Sequence, residues 1–151
     1  MLRPLLIGLV AGQRSMTPLA VLAGAARQGR FDDDWIGGRL IRHPLGAAGA
    51  VGMAALEMAG DKMKSAPDRT VFLGLLARTI TGSFAGAAIA PKGQRAAGAA
   101  VATAAAIGSS YLGLALRKRA MARFGQDASG FAEDVLVLGA GVAAVALPRF
   151  P

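Results

Sequence analysis

The residues best suited to chemistry stand near the amino terminus, where a charge, two hydroxyl groups and a helix breaker interrupt an apolar segment. They are residues 12–18, GQRSMTP. Pro18 has no amide hydrogen and its ring disturbs the carbonyl four residues back, at Arg14, so we expect the helix to kink or break here. In hydrocarbon the freed backbone groups need protein or water as partners. We therefore expect Arg14, Ser15 and Thr17 to face the interior of the protein.

Arg14 needs a partner, because an unpaired arginine in mid-membrane costs a few kcal/mol on insertion scales. Glu57 and Asp61 are the candidate partners, since they stand four residues apart and share one helical face. Both acids could instead lie at headgroup depth, where their charge costs little. The two placements stay open at the level of the sequence.

A second arginine, Arg78, lies inside another apolar segment, with Thr81 about one turn further along its face. Glu133 and Asp134 add two more acids at the start of the last apolar segment. Such a cluster could form an ion or proton pathway, in which a carboxylate changes protonation, an arginine attracts an anion and hydroxyls replace water. Equally, the same ions could be salt bridges that hold short helices in register.

The polar stretch at residues 61–70 joins three cations to a helix start. This combination suits a contact with a lipid headgroup or a phosphate, and it also suits a plain solvated loop. These residues could equally lie around the central cluster and contact its members without contacting a solute. They are Lys62, Lys64, Asp68 and Arg69.

The chain lacks the residues on which several enzyme classes depend. It has no cysteine and a single histidine, His43, which excludes thiolate metal sites and a cysteine nucleophile. Phosphate-binding loops, dinucleotide fingerprints and metalloprotease helix motifs do not occur. We expect no cofactor, no metal and no catalytic residue. A lipid-modifying enzyme is the least favoured class, because Ser15 and the acids would have to meet at headgroup depth.

The elements that must position these residues are apolar blocks. Of the 151 residues 54% are hydrophobic and only 17% are charged, and the mean hydropathy is +0.46. These values predict a single integral membrane domain over residues 1–151. The net charge of +8 would suggest nucleic acid in a soluble protein, but the cations lie between apolar blocks. We therefore expect membrane lipids, and no nucleic acid, as partners.

The blocks predict an all-α bundle of about five transmembrane helices. The clearest span is residues 96–116, which carries no charge and is bracketed by Arg95 and Arg117. About 20 apolar residues cross the hydrocarbon layer. The blocks are rich in Ala, Leu and Gly and lack two-residue alternation, so helices are favoured over a barrel. The other segments are residues 5–26, 45–58, 71–90 and 131–147, and the polar connection at residues 27–44 could hold a short interfacial helix.

Small residues recur at four-residue spacing, which favours close approach of helix backbones in lipid. Chance also produces such pairs in a chain with 21 glycines. The pairs are Gly8 with Gly12, Gly82 with Gly86, and Ser109 with Gly113.

The distribution of positive charge does not decide the orientation of the chain in the membrane. With five spans, eight of the 17 cations fall on one side, seven on the other, and Arg14 and Arg78 inside. This balance is expected of a protein that inserts both ways and pairs as an antiparallel dimer. A wrong span count would produce the same balance.

Three motifs together resemble an uncharacterised family of small bacterial membrane proteins, DUF4126. They are residues 12–20 (GQRSMTPLA), the pattern Glu57-x-x-x-Asp61-Lys62, and residues 78–88 with Gly82 and Gly86. The resemblance covers about residues 8–146 and implies a compact multi-helix membrane domain, with Arg14, Glu57, Asp61 and Lys62 at its recurrent polar positions. It brings no settled activity.

These observations predict a multi-pass protein of the bacterial inner membrane that acts as a channel or transporter for an ion or small solute. A homo-oligomer is expected, because five short helices bury little protein surface around two arginines. The alternative is a non-catalytic scaffold or accessory subunit, in which the same buried charges are structural.

Overall fold

Apolar blocks rich in good helix formers fold into helices throughout the part of the chain that the structure describes. The structure is a computed structural model, and it describes residues 1–30, 36–60 and 71–148. Within these residues the helices are α1 (Leu2–Gln13), α2 (Thr17–Arg27), α3 (Ile36–Arg42), α4 (Pro44–Gly60), α5 (Phe72–Ile89), α6 (Arg95–Phe124) and α7 (Gln126–Ala146). The prediction of an all-helical chain is confirmed for the described ranges.

Three of these helices are long enough and apolar enough to cross a membrane, judged by length and composition. They are α5 with 18 residues, α6 with 30 and α7 with 21. α6 continues past the predicted end of its span because Arg and Lys are good helix formers. It stops at Gly125, whose φ of 82° lies in the left-handed region that glycine tolerates.

α1 lies at the centre of the bundle, packed against α5, α6 and α7. Small residues let the backbones touch: a Cβ on Gly8 would lie 2.3 Å from the Ala102 carbonyl oxygen, and one on Gly86 would lie 2.4 Å from the Gly98 carbonyl oxygen. The predicted close packing of small faces is confirmed here. Helices at this distance gain dispersion contacts that a lipid-exposed face would lack.

α2 continues the chain beyond α1 and packs against α4 and α7. Leu22 is buried on the inner face of α2. Val21 packs against Gly141 of α7, where an added Cβ would lie 3.2 Å from a methyl group of Val21. Large apolar side chains such as Leu136 and Phe72 instead point outward. This inside-to-outside pattern suits a bundle surrounded by hydrocarbon.

Candidate functional site: a break between two helices

The first apolar segment is interrupted at Arg14, Ser15 and Met16. α1 ends at Gln13 and α2 begins at Thr17. Arg14 has extended backbone angles, φ −137° and ψ 114°. Pro18 is the second residue of α2, a position where its missing amide hydrogen costs no helical bond. The break therefore precedes the proline.

The carboxyl end of α1 is met by donors from two other helices. The Gly12 carbonyl accepts hydrogen bonds from Arg78 Nε of α5 at 3.2 Å and from Ser110 Oγ of α6 at 3.1 Å. Arg78 Nη1 also donates to the Gly74 carbonyl at 2.9 Å. Because the last carbonyls of a helix lack partners and carry partial negative charge, a guanidinium stabilises this end.

The amino end of α2 is met by a carboxylate from α4. Glu57 accepts hydrogen bonds from the Ser15 and Met16 amides, both at 2.8 Å, one on each carboxylate oxygen. Ser15 Oγ donates to the same carboxylate at 2.7 Å. These amides stand just before the helix, whose amino end carries partial positive charge, so an anion is stabilised here.

The Arg14 side chain is fully buried and pairs with Asp134 of α7. Its Nη2 and Nε lie 2.6 Å and 3.0 Å from Asp134 Oδ1. The spacing of the acids in the sequence predicts Glu57 or Asp61 as its partner. Glu57 instead binds the backbone amides, with Arg78 Nη2 at 3.8 Å from its Oε1. Asp61 lies outside the described residues.

The two threonines of the predicted cluster have different surroundings. Thr81 Oγ1 donates to the Ala77 carbonyl of its own helix at 2.9 Å, a common back-bond of hydroxyls in helices. Thr17, in the first turn of α2, is 1% exposed, and its Oγ1 has no hydrogen-bond partner among the described residues.

Sequence reasoning missed several polar contacts that α1 makes with its neighbours, two near the break and one at the other end of the helix. Gln13 Nε2 donates to the Ser109 carbonyl at 2.7 Å, and Ser109 Oγ donates to the Leu9 carbonyl at 3.0 Å. Arg3 donates to the Ala144 and Val145 carbonyls at the end of α7. The adjacent hydroxyls of Ser109 and Ser110 in an uncharged span were the available signal, because a hydroxyl in hydrocarbon needs a partner.

Glu133 lies outside the break. It pairs with Arg117 of α6 at 3.3 Å, beside a groove of about 530 Å³ between α6 and α7. Apolar side chains such as Leu116, Phe124 and Leu136 line most of this groove.

Four other predicted positions, Lys62, Lys64, Asp68 and Arg69, lie outside the described residues. In the described ranges, no three His, Cys, Asp or Glu side chains come together as metal ligands.

Comparison with known protein families, with curated proteins and with solved structures finds no match to this chain. The resemblance to DUF4126 stays a prediction. Function is therefore inferred from the geometry of the break.

Proposed function

We propose that the chain is a small multi-pass protein of the bacterial inner membrane that moves an ion or small solute, as a channel or transporter, past the break between α1 and α2. In this proposal α1 and α2 together make one crossing and α5, α6 and α7 make three more. α4 would make the fifth, and its Glu57 meets the break three residues before the helix ends at Gly60. Five crossings then carry the chain through the bilayer.

The observation that carries the proposal is a helix interrupted inside an apolar bundle, with a cation at one cut end and an anion at the other. Membrane transporters hold substrates and coupling ions at discontinuous helices of this kind. Twelve residues of α1 rise about 18 Å, so a crossing that starts at the amino end of α1 would have the break near the middle of a hydrocarbon layer about 30 Å thick. The charges would then lie at the depth where a polar solute has its highest free energy in the hydrocarbon layer.

The burial of the ions gives further support. Within the described residues, two arginines and two carboxylates cluster around this break, and ionisable groups within the membrane are rare and usually functional. Arg14 has no exposed surface, whereas the Glu57 side chain keeps 18% of its exposure. Glu57 is therefore the more exposed of these two ions, and we propose that it moves when a solute passes and that the arrangement described is a closed state.

A scaffold or accessory subunit is the second candidate, favoured by the close pairing of Arg14 with Asp134. In that role the same contacts fix the helices and no solute passes. Because Arg14→Ala loses a buried ion-pair partner in either role, Glu57→Gln separates the two candidates. Loss of flux with retained folding of Glu57→Gln would support a pathway, whereas folded wild-type protein that passes no solute would support the scaffold.

Flux through reconstituted liposomes tests the proposal. Wild-type protein, Glu57→Gln and Arg14→Ala are compared with Glu133→Gln, whose carboxylate lies outside the break. We expect flux of an ion or proton from wild type and Glu133→Gln and reduced flux from Glu57→Gln. Absence of flux from folded wild-type protein and folded Glu133→Gln would contradict transport.

We also propose that the working unit is a homo-oligomer surrounded by lipid, with an antiparallel dimer as its simplest form. The near-equal cation count on the two sides supports insertion in both directions. Cross-linking in native membranes tests this, because a monomer alone would exclude it.

A further inference from the structure

The groove between α6 and α7 has mostly apolar walls and no net charge in its lining. Leu116 and Phe124 line it from α6 and Leu136 lines it from α7, and its volume is about 530 Å³. Its charged lining residues, Arg117 and Glu133, pair with each other at 3.3 Å. The volume is typical of a small-molecule site, and the lining suits an apolar occupant better than an ion.

The groove runs from the turn between α6 and α7 toward the interior of the bundle. Phe124 and Ala128, on either side of the turn at Gly125, line one end, and Gly113 with Gln13 of α1 lines the other. Between Gly113 and Phe124 the helix rises about 16 Å. With α6 and α7 placed as crossings, the turn lies at the membrane surface. The groove then leads from the depth of the lipid headgroups into the hydrocarbon layer.

Two arginines stand beside the outer part of this groove. Arg119 and Arg123 follow the groove-lining Leu116 by three and seven residues, so they share its face of α6. Both are exposed, and neither pairs with an acid among the described residues. They lie about 5–10 Å beyond the uncharged span at residues 96–116, which is the depth of lipid phosphate groups.

The size of the groove and these two cations favour a lipid over a second copy of the chain. A helix with its side chains is about 10 Å across, so 16 Å of helix would occupy about 1,200 Å³. This is more than twice the volume of the groove, whereas an extended acyl chain is far thinner. In a two-fold contact through this face, Arg119 and Arg123 of both copies would also approach each other. An anionic headgroup would instead supply the opposite charge.

We propose that the groove between α6 and α7 is a binding site for one anionic phospholipid. Its acyl chain lies between the two helices, with Gln13 at the inner end, and its phosphate group lies against Arg119 and Arg123. Binding depends on the membrane placement of α6 and α7 and does not depend on transport.

Retention of lipid by the purified protein tests the site. The chain is reconstituted in nanodiscs with equal amounts of phosphatidylglycerol and phosphatidylcholine that carry identical acyl chains. It is then released in mild detergent and analysed by native mass spectrometry. We expect wild type to retain one phosphatidylglycerol per chain, with a several-fold preference over phosphatidylcholine.

The contribution of the headgroup is tested with Arg119→Gln combined with Arg123→Gln. A cation near an anionic headgroup contributes about a fivefold preference, so the double variant should lose most of the selectivity for phosphatidylglycerol. Arg27→Gln combined with Arg39→Gln is the charge-matched control, because these two arginines are exposed and lie outside α6 and α7. The control should keep the preference of wild type.

The contribution of the groove is tested with Ala120→Phe, because Ala120 lines it and a phenyl ring would take the space of the acyl chain. We expect this variant to retain several-fold less of either lipid. Ala115→Phe, at an exposed position of α6 outside the groove, should retain as much as wild type. If Ala120→Phe does not fold, the double arginine variant still decides, since Arg119 and Arg123 are exposed.

Equal retention of the two lipids by wild type, or an unchanged preference in the double arginine variant, would overturn the site. Conversion of a dimer to a monomer by Ala120→Phe, with no loss of bound lipid, would also overturn it and assign the groove to a second copy. Selective retention of phosphatidylglycerol with no flux in liposomes would keep the lipid site and remove transport. Flux without such selectivity would keep transport and remove the lipid site.

Discussion

Two regions of the molecule that share α7 hold ion pairs in different surroundings. At the break, Asp134 pairs with Arg14, the pair is almost completely buried and helix backbones touch around it. At the groove between α6 and α7, the preceding residue, Glu133, pairs with Arg117 beside an open space of about 530 Å³. Consecutive helical residues point about 100° apart, so one helix supplies an acid to each region.

The difference indicates that the space around an ion pair, as well as its charge, determines how far the surrounding side chains can rearrange when the pair is lost. The break has donors arranged on a backbone interruption and little space to relax. At the groove, the side chains of Arg117 and Glu133 keep 10% and 16% of their exposure and lie against apolar walls beside open space. We therefore expect changes at the break to cost far more than matched changes at the groove.

The largest expected difference is between the two arginines. Arg14→Ala removes an ion-pair partner of the buried Asp134 and should lower the free energy of unfolding by about 3–5 kcal/mol, whereas Arg117→Ala should lower it by about 1 kcal/mol. Detergent unfolding monitored by circular dichroism measures both. The double variant Arg14→Met with Asp134→Leu should recover much of the loss. Equal losses of unfolding free energy in Arg14→Ala and Arg117→Ala would contradict the expected difference between the break and the groove.

The next difference is between two helical glycines. A Cβ on Gly12 would lie 1.8 Å from Ser109 Oγ and 2.3 Å from the Ala106 carbonyl oxygen, whereas one on Gly24 meets nothing within 4 Å. Gly12→Ala should therefore destabilise the protein by about 3 kcal/mol or more. Gly24→Ala should be neutral or gain up to about 1 kcal/mol from helix propensity. A Gly12→Ala protein as stable as Gly24→Ala would contradict the contact between α1 and α6.

The smallest expected effect is at Gly113, where the groove meets the break. A Cβ there would meet only the end of the Gln13 side chain in its nearest contacts, and that side chain can move. Gly113→Ala should cost about 1 kcal/mol, the value of the Gln13 hydrogen bond to the Ser109 carbonyl. Gly108→Ala, on the same helix with nothing within 4 Å, is the control. A loss as large as that of Gly12→Ala would show that the groove is as rigid as the break.

Much of the helical framework could be predicted from hydropathy and end signals. Hydropathy predicts a span at residues 71–90 and the structure has α5 at Phe72–Ile89; the predicted span at residues 45–58 corresponds to α4 at Pro44–Gly60. Apolar length and flanking charge are local properties, so the sequence carries them. The five-span count remains a proposal, since three helices meet the length and composition of a span.

The pairing of charges could not be predicted. The spacing of Glu57 and Asp61 indicates a shared face, but which helix lies opposite that face depends on tertiary packing. Asp134 reaches Arg14 across 120 residues of chain. The binding of Glu57 to backbone amides could not be predicted either, because it depends on how α4 packs against the segment that holds Ser15 and Met16.

Access of water to the break is the most direct test of the account. The chain has no cysteine, so Ser15→Cys, Ile80→Cys on the outer face of α5 and exposed Gln28→Cys can each be labelled in intact vesicles with a membrane-impermeant thiol reagent, which requires the hydrated thiolate. We predict that Ser15→Cys is labelled, more slowly than Gln28→Cys, while Ile80→Cys is not. A Ser15→Cys protein that folds normally and stays as unreactive as Ile80→Cys would contradict a polar pathway at the break.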